Sequence, residues 1–360
     1  MKRIVIAMSG GVDSSAAAAM LVEAGYDVIG MMLRLWSEPG KSDSNRCCSP
    51  DAMALARRVA GQLGIPFYAV DAQTAFHDTV VKDFTQGYTS GITPNPCLTC
   101  NRQIRWGYLL DHALALGADA LATGHYARLA TAEDGSIKLM KAVDLGKDQS
   151  YVLHVLNQEQ LRKTIFPLGE YSKVEVRAYA HSLNIPSAGR SDSQDLCFLA
   201  GGDYRDFLLR YSPAANNPGP IQSIEGQILG EHRGLAFYTI GQRKGLGLSA
   251  PYPLYVVSKD IRNNALIVGG VENLGRLEMS VGEINWVNST NPEHPFRANV
   301  KTRYTTAELP ALVTPQKCGN AAIKFDTPVR DITPGQAAVI YDDDICLGGG
   351  IIQPIQEHRI

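Results

Sequence analysis

The run Ile4-Val5-Ile6-Ala7, followed at once by Met8-Ser9-Gly10-Gly11-Val12-Asp13-Ser14 and an alanine-rich stretch, constrains this chain more than any other feature. A short apolar run bounded by glycines reads as a buried strand, and the alanines behind it as a helix. Two glycines let the connecting backbone turn tightly and approach a ligand closely. Successive N–H groups, the serine hydroxyls and the positive helix end then face one point, an arrangement suited to a pyrophosphate. A plain strand-to-helix turn capped by Asp13 or Ser14 is the alternative for the same residues.

The rhythm set here continues for about 200 residues. Strands are expected at Tyr26–Met32, Ile65–Val70 and Ala118–Thr123, with helices between them, one of them opened by Ser49-Pro50-Asp51. Alternating strands and helices predict a doubly wound, mostly parallel α/β sheet, whose ligands collect at the strands' C-terminal ends. Ser9–Ser14, the loop 91–100 and Gly124-His125 all fall there. A hairpin turning at Glu133-Asp134-Gly135 and a capping box at Ser172-Lys173-Val174-Glu175 read as scaffold. After Tyr211 the prolines 213, 218 and 220 mark a linker, and short β-like runs replace helices. The expected division is a catalytic domain over 1–211, a small β domain over 212–275 and a C-terminal β-barrel over 276–360. Two imitations are set aside. Gly40-Lys41-Ser42 lacks the first glycine of a P-loop, and Gly245-Leu246-Gly247-Leu248-Ser249-Ala250 runs into Pro251 rather than a helix.

The chain has 360 residues, 45% of them hydrophobic, enough for a large core in two or three domains. No apolar run approaches the length of a membrane span or a secretory leader, so a cytoplasmic location without membrane attachment is expected. Residues 1–205 carry 20 basic and 21 acidic side chains and residues 206–360 carry 14 and 15, so each part has net charge −1. Bulk charge therefore does not drive nucleic-acid binding, and any such partner needs a local patch. The seven cysteines read as thiols or metal ligands rather than a disulfide framework. Thr93-Pro94-Asn95-Pro96-Cys97-Leu98-Thr99-Cys100-Asn101 stiffens a loop with two prolines and sets Cys100 at an expected helix N-terminus, where the dipole favours thiolate. Ser193-Gln194-Asp195-Leu196-Cys197-Phe198 carries another thiol that could fold over the same cleft. Cys47 and Cys48 fall in a polar loop, and Cys318 and Cys346 read as small buried hydrophobes.

Ser-Gly-Gly-x-Asp-Ser in this setting resembles the PP-loop ATP pyrophosphatases. With Thr123-Gly124-His125-Tyr126-Ala127-Arg128, Lys147-Asp148-Gln149-Ser150-Tyr151, Phe166-Pro167-Leu168-Gly169, the Cys197 segment, Tyr238–Gly247, Arg303-Tyr304 and Pro334-Gly335-Gln336, the chain resembles the bacterial tRNA-specific 2-thiouridylases nearly end to end. The resemblance implies that ATP and Mg²⁺ are used to adenylylate uridine O2 in tRNA, and that sulfur from a persulfide then displaces the adenylate. It implies that Cys197 carries the persulfide and Cys100 resolves it, leaving a Cys100–Cys197 disulfide. Ala7, Met8, Ser9, Gly10, Gly11, Val12, Asp13, Ser14, Leu33 and Gly124 would bind ATP, while Asn95, Pro96 and Cys97 would meet the extruded base. His125, Lys147, Asp148, Gln149, Arg303, Tyr304 and Gln336 would contact tRNA, of the Lys, Glu and Gln acceptors. The sulfur donor would be a cysteine desulfurase or a relay of sulfur carriers.

Many members of that family have aspartate at the position of Cys97. Cysteine here leaves three readings open: persulfide and disulfide chemistry alone, a [4Fe–4S] cluster on Cys97, Cys100 and Cys197, or a structural zinc. Two other functions also remain: a different PP-loop adenylylating ligase or amidotransferase, and an ATP-responsive RNA-binding protein without catalysis.

Overall fold

The computed structural model describes residues 1–39, 49–190, 196–199, 201–330 and 332–354. Gly40-Lys41-Ser42, Cys47, Cys48 and Ser193-Gln194-Asp195 lie outside the described residues.

The first strand, β1 (Arg3–Ala7), is buried at Ile4, Val5 and Ile6 because it runs in the middle of a parallel sheet covered on both faces. β2 (Asp27–Arg34), β3 (Phe67–Asp71), β4 (Ala120–Thr123) and β7 (Thr164–Ile165) complete the order β3-β2-β1-β4-β7. In-register pairs run from Ile4 with Val28 on one side to Ile4 with Ala120 on the other. The order turns back between β1 and β4, so the sheet's switch point, where ligands of such folds bind, lies between the ends of those strands. Helix α1 (Val12–Glu23) buries Ser14, Ser15 and Ala16–Ala19, the small side chains allowing it to lie close to the sheet and to the helix Lys173–Ser182. Gly25, at φ +80°, ends it. Helix α2 (Pro50–Gln62) starts as expected, with Ser49 Oγ accepting from the Ala52 N–H at 3.1 Å.

The later residues form two β structures. β8 (Gly219–Ser223), β9 (Ile228–His232), β10 (Tyr255–Asp260) and β11 (Ala265–Gly269) make a four-stranded sheet in the order β10-β11-β8-β9. β12 (Arg276–Trp286), β13 (Phe296–Lys301), β14 (Leu309–Gln316), β15 (Asn320–Val329), β16 (Ala337–Asp342) and β17 (Ile345–Ile352) form a barrel in the order β12-β15-β14-β13-β16-β17, which the β12–β17 pairing closes.

Three local expectations change. The hairpin β5 (Arg128–Thr131) and β6 (Ile137–Met140) is not internal scaffold of the first domain: β6 pairs with β17, Ile345 opposite Met140, and extends the barrel's sheet. Arg128 Nη2 holds Asp344 at 2.9 Å, and Lys141 Nζ holds Glu308 at 2.8 Å across the same seam. Second, the stretch 91–100 is only half a loop. Pro96 opens a helix of segments Pro96–Thr99, Cys100–Leu109 (π-wound) and Leu110–Ala115, because Asn95 Oδ1 caps the Cys97 N–H at 3.1 Å and proline suits the first turn. Third, Cys318 is exposed in a turn at φ +59° rather than buried, whereas Cys346 is buried in β17 and its thiol is pushed up by desolvation.

Candidate active site

At the C-terminal end of β1 the chain leaves the sheet once the Met8 N–H has bonded the Met31 carbonyl at 2.8 Å. Gly10 sits at φ +70°, and a Cβ there would lie 2.5 Å from the Ala52 carbonyl oxygen. Gly11 is the N-cap of α1 and supplies no side-chain acceptor, so neither Asp13 nor Ser14 caps the helix. The positive end of α1 is left to a ligand. Gly124, following β4, packs on this turn so closely that a Cβ would stand 2.7 Å from the Ser14 nitrogen. Ser14 and Ser15 spend their hydroxyls on the Gly11 carbonyl, at 3.2 and 2.8 Å, and Ser14 Oγ also accepts the Ser9 N–H at 3.2 Å. Those two hydroxyls shape the loop, while Ser9 is the exposed one. Met8 and Val12 are buried, and Ala7 and Leu33 are half-buried.

Cations missed by the sequence reading surround the turn. Lys173 Nζ bonds both Asp13 carboxylate oxygens, at 2.6 and 2.8 Å, and the Tyr126 hydroxyl donates to Asp13 at 2.9 Å. Lys173 is 8% exposed, fixed at the start of its helix by the Ser172/Glu175 capping box. Arg190 Nη1 reaches the Gly10 carbonyl at 3.1 Å, and Arg177 Nη1 in turn holds the Arg190 carbonyl at 3.1 Å. The capping box was the one available signal, since it sets Lys173 on a first helical turn; nothing local announced Arg190.

The thiols divide by environment. Cys97 is exposed on the first turn of its helix; Cys100 is 9% exposed, one turn further in, among Phe76, Val80, Ile104 and Phe198. The expected N-terminal placement of Cys100 is therefore corrected: the dipole acts mainly within the first turn, where Cys97 stands. Cys197, partly buried at the head of the turn Cys197–Leu199, packs against the same apolar cluster as Cys100. Among the described residues no three His, Cys, Asp or Glu side chains gather as metal ligands. Cys97 is exposed, whereas Cys100 and Cys197 share the apolar cluster.

The residues expected to touch tRNA lie on both sides of this cleft. His125 is 6% exposed, its Nε2 2.7 Å from Arg105 Nη1 and its Nδ1 2.8 Å from Thr123 Oγ1. Arginine can only donate, so His125 accepts at Nε2 and carries its proton at Nδ1. Burial and the Arg105 charge hold its pKa well below 6.5. Asp148, 6% exposed, accepts from the Ala142 and Ser150 N–H groups at 3.0 and 3.2 Å and from Ser150 Oγ at 2.7 Å. Both side chains face inward. Gln149 accepts the Tyr126 N–H at 3.1 Å, and Lys147 is half-buried beside it. From the barrel, Tyr304 stands 42% exposed; burial first, then Asp148 and Cys97, raise its pKa. Arg303 Nη2 bonds the Ile240 carbonyl at 3.0 Å and Thr333 Oγ1. Gln336 Nε2 donates to the Thr93 carbonyl at 2.8 Å, and the Thr93 N–H to the Pro334 carbonyl at 2.9 Å. The Pro334-Gly335-Gln336 turn thus grips the loop just before Asn95-Pro96-Cys97.

Family models match in three consecutive parts: a tRNA methyl transferase HUP domain over 2–201, a tRNA methyl transferase PRC-barrel domain over 205–270 and an aminomethyltransferase beta-barrel domain over 276–352. The chain is 49% identical over 354 residues to the tRNA-specific 2-thiouridylase MnmA of Chloroflexus aurantiacus, covering 98% of each chain. It is 46% identical over 368 residues to the protein of that name from Roseiflexus castenholzii, covering 98% and 99%. The corresponding protein of Moorella thermoacetica is 46% identical over 356 residues, with 98% of this chain and all of the other covered.

Proposed function

Because the chain belongs to the family of tRNA-specific 2-thiouridylases, we propose that its cleft adenylylates O2 of the tRNA wobble uridine and that a persulfide sulfur replaces that oxygen. It is an ATP-using sulfurtransferase of tRNA. The observation that carries the ATP half is the uncapped end of α1 beneath Gly10 and Gly124. ATP phosphates seated there meet N–H groups and the helix dipole, with Lys173 and Arg190 alongside to offset charge. Attack of uridine O2 on the α-phosphorus forms the O2–P bond and releases pyrophosphate, and O2 becomes part of a good leaving group. Mg²⁺ would be held mainly by the substrate phosphates, with Asp13 the carboxylate beside the turn, and would neutralise phosphate charge.

For the sulfur half, the support is that Cys100 and Cys197, distant in sequence, pack on one apolar cluster. The terminal sulfur of a Cys197 persulfide attacks C2 and AMP departs with the former O2. The Cys100 thiolate then attacks Cys197 Sγ, freeing the thiolated base and leaving a Cys100–Cys197 disulfide for a dithiol reductant to reopen. Asn95, Pro96 and Cys97 receive the base, Lys147, Arg303 and Tyr304 the surrounding nucleotides, and His125, Asp148, Gln149 and Gln336 fix the cleft's geometry from within. Residues 1–211 form the catalytic unit in this reading, with 212–275 and 276–360 as the two β units. The persulfide comes from a cysteine desulfurase or sulfur-carrier relay. No described helix is long and apolar enough to cross a membrane, and the reaction proposed here is cytoplasmic, on tRNAs for Lys, Glu and Gln.

Nucleoside mass analysis of unmodified tRNA, after incubation with the protein, ATP, Mg²⁺ and a persulfide source, tests the proposal. 2-Thiouridine at the wobble position is expected, lost in Cys197→Ser while ATP binding persists. Absence of the product from the wild-type reaction, or intact thiolation in Cys197→Ser, overturns it.

A further inference from the structure

Lys259 lies on β10, in the four-stranded sheet, yet its Nζ donates to the carbonyl of Gly91 in the first domain at 3.1 Å. Among the described residues it forms no ion pair, and burial lowers its pKa to about 8. Lys259 is half-buried, and partly burying an ammonium without a counter-ion carries a cost that a methionine in the same space would not. What the lysine adds is a directed donor to one backbone carbonyl. The contact is tight around it: Gly91 sits at φ +86°, and a Cβ there would come 2.1 Å from Ile261 Cδ1, in the turn after β10. Two residues on, the barrel holds Thr93 by its N–H and its carbonyl through Pro334 and Gln336. A Cβ on Gly335 would stand 2.9 Å from that carbonyl. Next, Asn95 turns the chain into the helix that carries Cys97 and Cys100. The loop is therefore pinned at Gly91 by one β structure and at Thr93 by the other, immediately before the residues proposed to receive the base.

We infer that Lys259 is a positioning residue for the Asn95-Pro96-Cys97 loop, and that through it the four-stranded sheet fixes where the target uridine meets the ATP α-phosphate. The inference rests on the proposed thiolation at this cleft. It assigns Lys259 no contact with substrate; its effect passes through Gly91, and reacting groups displaced by a fraction of an ångström lose rate steeply.

The test compares the full-length wild type with Lys259→Met and Lys259→Arg, reading amide hydrogen exchange over 88–100, thermal melting, and kcat and KM for ATP with unmodified tRNA. In Lys259→Met, exchange over 88–95 rises about tenfold while the rest of the four-stranded sheet keeps its protection, kcat falls about tenfold, and KM for ATP stays within about twofold. Lys259→Arg restores most of both. Unchanged exchange over 88–95 in Lys259→Met overturns the inference, and so does a rise spread evenly over the sheet, which marks a purely structural residue. Exchange is read without turnover, so a wild type that makes no 2-thiouridine defeats the proposed reaction while the exchange result still decides Lys259.

Discussion

Gly124 shows at the scale of one residue how the cleft depends on what is missing. Its Cβ position falls 2.7 Å from the Ser14 nitrogen and 2.9 Å from the Asp13 carbonyl carbon, backbone atoms that cannot swing aside. Gly124→Ala is expected to lower stability by about 1–3 kcal/mol and to weaken ATP binding, checked by denaturant unfolding and nucleotide titration. The buried histidines give a pH prediction. His125 and His154 are held neutral by burial, His154 with a pKa of about 4 against 6.5 when unfolded. Below pH 6.5 the unfolded chain takes up protons that the folded chain refuses, so stability is full above that value and falls as pH drops toward 4. His154 should cost about 2 kcal/mol by pH 5, and His125 adds a loss of the same sign. Urea titrations at pH 7.5 and 5 measure the loss, and His154→Gln should reduce it by about 2 kcal/mol. A flat stability between those pH values would refute the assignment.

At the scale of elements, local signals were readable where the chain satisfies its own backbone. Ser49 and the Ser172/Glu175 box fixed helix starts from a few neighbouring side chains, and Gly25 fixed a stop. Asn95-Pro96 is an equally good start, but reading two prolines as a stiff loop moved the helix and gave Cys100 a place that belongs to Cys97. The turn Pro334-Gly335-Gln336 illustrates the opposite case. Its glycine is at φ +91° and in contact with Thr93, a residue far away in sequence, so no local pattern explains it. Gly335→Ala should displace the Thr93 segment and cut thiolation at least about tenfold while leaving ATP affinity within about twofold. A matching loss of ATP binding would mean that the turn supports the whole cleft rather than the loop.

On the scale of the whole molecule, the barrel is not an appendage. Its sheet runs on through β6 and β5 of the first domain, Tyr151 Oη donates to the Ala337 carbonyl at 2.9 Å, and Ser150 Oγ lies 3.0 Å from Tyr341 Oη. A chain ended at residue 275 would leave the β6 edge open and Leu139 and Tyr151, both fully buried, exposed. Such a truncation should aggregate or melt without a cooperative transition, seen by calorimetry and light scattering; a soluble, ATP-binding fragment would show that the two parts fold separately.

By itself the sequence determined the strand, glycine turn and helix that open the chain, the parallel α/β layout and the change to β structure after Tyr211. These are set by neighbours along the chain, through periodicity, capping and turn chemistry. Only the tertiary structure decided which cations reach Asp13 and Gly10, that Cys100 is buried while Cys97 is exposed, and that the hairpin joins the barrel. Those outcomes depend on side chains more than a hundred residues apart meeting in one packed interior, where contact and desolvation, rather than spacing, set each group's surroundings.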